Sequence, residues 1–118
     1  MSTYFKRPKD PHEKVVLTFN FSGELAAGET LTGTPTVTYA TVEGTDASPS
    51  SLDNGTGAIN AAIITPVVGP DIAIGHAFQQ PVQGGLDGCV YSVHVLAQTT
   101  NSDKVLAMTG LLRVAEGA

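Results

Sequence analysis

Apolar and polar residues alternate most regularly over residues 14–21. Val15, Leu17, Phe19 and Phe21 fall on one side of an extended chain, and the side chains between them are mostly polar. Successive side chains of a strand point to opposite faces of its sheet, so a period of two indicates a half-buried β-strand. This segment therefore predicts a strand with one face turned toward a core.

The same alternation recurs along the rest of the chain. It predicts further strands at residues 29–33, 35–42, 57–65, 72–79, 89–100 and 104–114. The residues between these segments are rich in glycine, proline, serine, aspartate and asparagine, which favour turns and loops. Gly110, inside the last strand, predicts a β-bulge. About seven short antiparallel strands of this kind predict an all-β, immunoglobulin-like β-sandwich.

Tyr91 lies near the start of the penultimate predicted strand, two residues before the apolar Val93. In immunoglobulin-like domains a tyrosine at this point can turn its hydroxyl back to a nearby backbone group, forming a tyrosine corner. The alternative is that Tyr91 is an ordinary core aromatic. The chain has no tryptophan and one cysteine, so side-chain packing alone would hold the two sheets together.

Composition and charge narrow the classes of function. The 118 residues, 42% hydrophobic and 14% charged, suit one globular domain. The net charge of −5 argues against nucleic acid as the main partner, because phosphate binding needs clustered lysine and arginine. No long apolar segment or secretory signal pattern is visible, so we expect neither a membrane span nor export by such a signal.

The basic residues are concentrated at the N-terminus. Residues 1–14 carry four of the six basic side chains, and residues 15–118 carry nine of the eleven acidic ones. This asymmetry predicts an N-terminal arm at residues 1–13, followed by a sandwich domain at residues 14–118. The predicted partner-binding residues of the arm are Tyr4, Phe5, Lys6, Arg7 and Lys9, because aromatic and arginine side chains commonly anchor interfaces. The alternative is that the segment folds back over the sandwich edge as a first strand.

No pattern for catalysis or metal binding stands out. Cys89 falls on the predicted core face, where a thiol is inert. His12, His76 and His94 have no cysteine or histidine at metal-ligand spacing, and the loop around Asp53 lacks the alternating oxygen ligands of a calcium site. We therefore predict a protein that is not an enzyme, with no cofactor and no metal.

A resemblance to a known family emerges from several segments together. The most specific is Lys-Asp-Pro-x-Glu at residues 9–13. Others are Phe-Asn-Phe at residues 19–21, Gly-Glu-Thr-Leu at residues 28–31, and the closing hairpin. In these segments the chain resembles a family of small tailed-phage virion proteins, the fiber–tail adaptors. It departs from the family in having phenylalanine where tryptophan is common, and in the long loop at residues 43–56.

The resemblance implies a structural role without a reaction. It implies a multicopy or homo-oligomeric tail component that connects fibers or other virion proteins to the tail through protein–protein contacts, with no nucleic acid or membrane partner. Its location would be the virion tail, after assembly in the cytoplasm of the host bacterium. One alternative is a phage capsid decoration or cement protein. An alternative of a different class is a carbohydrate-binding immunoglobulin-like module that uses the loops at residues 43–56 and 66–69.

Overall fold

A computed structural model describes residues 2–5 and 8–117, with residues 2–4 described by their backbone only. Seven strands lie in this part of the chain: β1 (Ser2–Tyr4), β2 (Lys14–Asn20), β3 (Leu31–Glu43), β4 (Ala58–Ile59), β5 (Ala77–Gln83), β6 (Val90–Thr99) and β7 (Val105–Arg113). Two short 3₁₀ segments, Ser22–Glu24 and Pro49–Leu52, interrupt the loops. The predicted all-β class is therefore confirmed.

The strands form two sheets that pack face to face. One sheet has the order β1-β7-β6-β3 and the other has the order β2-β5-β4. Neighbouring strands are antiparallel except for β1 and β7, which run parallel. The core between the sheets combines residues of both, among them Phe19, Phe78, Val93 and Val95. A β-sandwich, as predicted, is what the structure shows.

Two predicted strands, at residues 29–33 and 35–42, form the single long strand β3. Pro35 lies inside it, at a shift in register between Thr32 and Thr36. Strand β3 is an edge strand, and its pairing with β6 is already interrupted at Pro35. The missing N–H of proline therefore disturbs the sheet less than it would in a central strand. The prediction was wrong in treating proline as a boundary, since proline is tolerated at a sheet edge and at a bulge.

The strands predicted at residues 57–65 and 72–79 are largely replaced by a loop at residues 60–76. Asn60 is buried beneath it, and its side-chain oxygen accepts hydrogen bonds from the backbone N–H groups of Gly75 and Ala77. Its side-chain nitrogen donates to the carbonyls of Ala62 and Ala73. The side-chain amide of Asn60 thus makes the hydrogen bonds to these backbone groups that a neighbouring strand would otherwise make.

Strand β5 starts later and ends later than predicted. It continues through Pro81 to Gln83, whereas residues 81–88 were predicted to be a connection. Pro81 is opposite Val16 of β2 and lies beyond Phe78 and Gln79, the two residues of β5 that pair with β4, so β4 requires no hydrogen bond from its missing N–H. The alternation of buried residues in β5 continues past the proline, and packing of Val82 in the core explains why the strand does too.

Gly110 does not mark a bulge. The register between β6 and β7 is continuous, and Gly110 is paired with Val93. A Cβ atom built on Gly110 would lie 2.5 Å from the ring of Phe5 and 3.3 Å from the ring of Phe19. The glycine therefore provides room for an aromatic ring from the N-terminal segment.

Candidate functional site

The N-terminal segment lies against the body of the sandwich. Strand β1 pairs with β7, and the backbone N–H of Phe5 donates a 2.9 Å hydrogen bond to the carbonyl of Leu111. The Phe5 ring meets the Phe19 ring edge to face, with 5.6 Å between ring centroids. Of the two alternatives for this segment, the described residues follow the one in which the chain folds back as a first strand.

Lys9 is buried, with 2% of its surface exposed. Its ammonium donates hydrogen bonds to the carbonyl of Gly84 at 2.6 Å and to the carbonyl of Asp10 at 2.9 Å. Burial lowers the pKa of Lys9, and the negative charges of Glu13 and Asp10 partly oppose this shift. The amine is therefore engaged inside the fold, because a buried ammonium needs oxygen partners in place of water.

The acidic residues of the Lys-Asp-Pro-x-Glu motif bind backbone N–H groups. The Asp10 carboxylate accepts from the N–H groups of His12 and Gly117, which together with smaller contributions from the His12 side chain hold the pKa of Asp10 at about 2. The Glu13 carboxylate accepts from the N–H of Asp10 at 2.8 Å. The motif thus forms a junction between the two ends of the chain and the loop that contains Gly84.

The structure does not bring the five predicted partner-binding residues together on one exposed surface. Phe5 is half-buried and Lys9 is buried, and both contact the body of the sandwich. Lys6, Arg7 and the side chain of Tyr4 lie outside the described residues. A partner-binding role for those three side chains stays a prediction.

A groove of about 200 Å³ separates the N-terminal segment from β2. Apolar side chains line most of it, including Phe5, Val15, Leu17 and Leu112, and Pro8 lies at its margin. Strand β2 is an edge strand of its sheet, and four consecutive residues of it, 15–18, line this groove. An edge strand beside an apolar groove is a site where an extended segment can add to a sheet.

Tyr91 makes the hydrogen bond expected of a tyrosine corner. Its hydroxyl accepts from the backbone N–H of Leu86 at 2.9 Å and donates to the Asp46 carboxylate at 2.7 Å. Burial, and then the hydrogen bond to Asp46, raise the pKa of Tyr91 well above its ordinary value. The same hydroxyl, and the N–H of Ser48, lower the pKa of Asp46. Tyr91 therefore ties the long loop that follows β3 to the start of β6.

The groups considered for chemistry lie apart from one another. Cys89 is a free, buried thiol, as predicted. The Nδ1 atom of His94 is 2.8 Å from the hydroxyl of Thr109, and His12 is exposed beside Asp10. Among the described residues, no three histidine, cysteine, aspartate or glutamate side chains are grouped so that they could hold a metal ion. The absence of enzymatic activity stays a prediction.

The loop at residues 60–76 exposes an unusual number of large apolar side chains. Ile63, Val67, Val68 and Ile74 are each more than half exposed, and Val67 is fully exposed. Asn60 and the paired backbone of Ile64 and Ile72 hold the base of the loop. Alternation predicts strand and connection in this segment, whereas the run Pro-Val-Val-Gly-Pro at residues 66–70 is the feature that indicates an exposed apolar tip.

Comparisons with known proteins give no relative for this chain: no protein-family model, no curated protein and no solved structure matches it. Within residues 2–5 and 8–117, no helix has the length and apolar character required to cross a bilayer. The candidate site therefore consists of the N-terminal junction and the groove beside β2, described by their own geometry.

Proposed function

We propose that this chain is a structural protein of a bacteriophage particle, a tail component that connects fibers or other parts to the tail through protein–protein contacts. The observation that carries the proposal is the Lys-Asp-Pro-x-Glu motif of residues 9–13, the most specific element of the resemblance to fiber–tail adaptors. Each charged side chain of the motif is used to hold the chain's own backbone. A motif that builds a junction within the fold suits an assembly module.

We also propose that the sandwich is of the immunoglobulin-like type. In that fold, strands B, E and D share one sheet and strands C, F and G share the other. The order β2-β5-β4 corresponds to B-E-D, and β3-β6-β7 corresponds to C-F-G. The hydrogen bond from the Leu86 N–H to the Tyr91 hydroxyl supports the same assignment, because it lies at the corner before strand F.

A junction of this kind would favour docking by reducing its entropic cost. Ordering a flexible segment at an interface opposes binding. The bonds of Lys9 and Asp10 and the packing of Phe5 already hold the described part of the N-terminal segment against the sandwich. A partner that binds next to this segment would meet a surface that is already ordered.

Location in the particle tests the proposal. Antibody labelling of purified phage particles, viewed by electron microscopy, should place this chain on the tail. Label on the head would favour the capsid decoration alternative, and absence of the chain from the particle would contradict a virion role. Binding of the isolated protein to a glycan array would favour the carbohydrate-binding alternative.

The docking role of the basic residues needs point variants instead of a truncation. Removing residues 1–13 would also remove Phe5 and Lys9 from the packed body, so loss of assembly would have two explanations. We expect Lys6→Glu combined with Arg7→Glu to reduce incorporation into particles, and Lys14→Glu, on an exposed position of β2, to leave it unchanged. Normal incorporation of the double variant would contradict the docking role.

A further inference from the structure

Between the ends of its three long strands, the outward face of the four-stranded sheet carries no charged side chain. This neutral face consists of the even-numbered residues of 36–42 and of 92–98 and the odd-numbered residues of 105–111. Half of them are apolar: Ala40, Val42, Leu96, Val105, Ala107 and Leu111. Val42, Leu96 and Val105 are 52%, 42% and 57% exposed. An antiparallel sheet normally turns its polar face to solvent, so this half-apolar face is unusual.

Charged residues of the strands border the neutral face at one end, where Glu43 and Arg113 pair with Val90 from its two sides. The only aspartate, glutamate, lysine or arginine residues in the described strands are Lys14, Glu43 and Arg113, and each is the first or last residue of its strand. The whole chain has a net charge of −5, so two identical copies repel each other through most of their surfaces. A contact between copies meets the least electrostatic opposition at a face without charge.

The area of the neutral face is large enough for such a contact. Three strands spaced ~4.8 Å apart, with β6 of 10 residues rising ~3.4 Å per residue, cover roughly 500 Å². Two copies would bury roughly 1,000 Å² in total, in the size range of weak protein–protein interfaces. The face can therefore support a weak but specific dimer.

We propose that the neutral face binds a second copy of this chain, sheet against sheet, around a two-fold axis. Two sheets that pack face to face align at about 30° to each other. His94 would lie near the centre of the contact, because it is paired with Thr38 on one side and with Thr109 on the other. The proposal concerns the chain alone and goes beyond the proposed function, since it does not depend on a phage particle.

Other surfaces suit a second copy less well. The free edge of β3 is interrupted by Pro35 and by two shifts in register, and such features discourage strand pairing between copies. The outward face of the other sheet is narrower, because β4 has two residues, and it carries the amides of Asn20, Gln79 and Gln83. The outward face of this other sheet provides the control positions for the test.

Sedimentation equilibrium of the full chain over a range of concentrations tests the proposal. We expect the wild type to dimerise, and Leu96→Glu and Thr38→Glu each to weaken dimerisation by about a hundredfold or more, because each buries an unpaired charge. Val16→Glu and Thr18→Glu add the same charge at exposed positions of β2 and should leave the dimer unchanged. Leu96→Lys should also weaken the dimer, although it makes the negative net charge of each copy smaller. This variant therefore separates the cost of burying a charge from the overall repulsion between copies.

Circular dichroism and thermal melting identify the folded variants, and Thr38→Glu tests the face if Leu96→Glu is unfolded. A wild type that stays monomeric up to about 1 mM overturns the proposal, because a dimer with a Kd of about 1 mM would hold half of the chains at that concentration. Equal weakening by the β2 variants also overturns it. So does loss of the dimer on combining Val67→Ser with Val68→Ser, because that result would assign the contact to the loop at residues 60–76.

Discussion

The ammonium group of Lys9 and the carbonyl oxygen of Gly84 are 2.6 Å apart, although 75 residues of sequence separate them. The bond joins the N-terminal segment to the connection between β5 and β6. The same ammonium also binds the carbonyl of Asp10, and the Asp10 carboxylate binds the N–H of Gly117. Lys9 and Asp10 thus link the beginning, the middle and the end of the chain.

Replacing Lys9 by methionine tests this link. Lys9→Met keeps an unbranched side chain of similar length but leaves the Gly84 carbonyl without its charged donor, so we expect a loss of about 1–3 kcal/mol in the free energy of unfolding. Urea denaturation measures it. The control Lys14→Met, at an exposed position of β2, should change stability by less than about 0.5 kcal/mol. Equal losses in the two variants would contradict the role of the Lys9 ammonium.

Tyr39 and Tyr91 should respond differently to loss of the hydroxyl. Tyr91→Phe removes the acceptor of the Leu86 N–H and the donor to Asp46, so we expect it to cost about 1–3 kcal/mol. The Tyr39 hydroxyl is buried and makes no hydrogen bond of good geometry to a described residue. The Asp53 carboxylate and the Gln80 amide lie near enough to act on it, and burial together with the charge of Asp53 raises its pKa to about 12.

Tyr39→Phe should therefore be neutral or slightly stabilising, within about 0.5 kcal/mol. Thermal unfolding of the two variants at one pH provides the comparison. A loss for Tyr39→Phe as large as that for Tyr91→Phe would mean that the Tyr39 hydroxyl is hydrogen-bonded to Asp53 or Gln80.

A methyl group at Gly110 should displace the ring of Phe5. The added Cβ would lie 2.5 Å from that ring, so Gly110→Ala should lower stability by about 1–3 kcal/mol through overpacking. It should also increase cleavage of the N-terminal segment by a protease. Gly23→Ala is the matched control, because nothing lies within 4 Å of a Cβ at that position. If Gly110→Ala leaves protease resistance unchanged, Phe5 does not depend on the space above Gly110.

Glu29 makes stability depend on pH in the acid range. Its carboxylate accepts hydrogen bonds from the Ala26 N–H, the Lys104 ammonium and the Thr99 hydroxyl, which lower its pKa from 4.5 to about 2. A lowered pKa means that folding favours the ionised form, so this contribution is complete above about pH 4.5 and is lost as the pH falls to about 2.

We therefore expect Glu29→Gln to be less stable than the wild type at neutral pH and to approach it near pH 2. Urea midpoints measured from pH 7 to pH 2 give the difference. Asp10 titrates over the same range, so the acid-induced loss should shrink in the variant without disappearing. Glu24→Gln, at an exposed position, should follow the wild-type curve, and a parallel curve for Glu29→Gln would contradict the assignment.

The candidate site was only partly accessible from the sequence. The charge asymmetry singled out the N-terminal segment as a partner-binding arm, but only the structure shows that the Lys-Asp-Pro-x-Glu motif in it forms a junction within the fold. The pattern of charged residues could not reveal that Lys9 is buried, because a lysine between Pro8 and Asp10 is expected to be exposed to solvent. The neutral face was visible as a lack of charge in the strands, but only the sheet order places those residues side by side.

Alternation of apolar residues by itself determined the sandwich, the strands β2, β6 and β7, and the burial of Cys89. Those features depend on neighbours within a few residues, since alternate side chains must enter one core. Tertiary structure alone decided that Pro35 lies within an edge strand, that Asn60 replaces a strand ladder and that Lys9 is buried. Each of these features depends on which distant backbone groups come within hydrogen-bonding distance. The periodicity of a short segment gives no information about such distances.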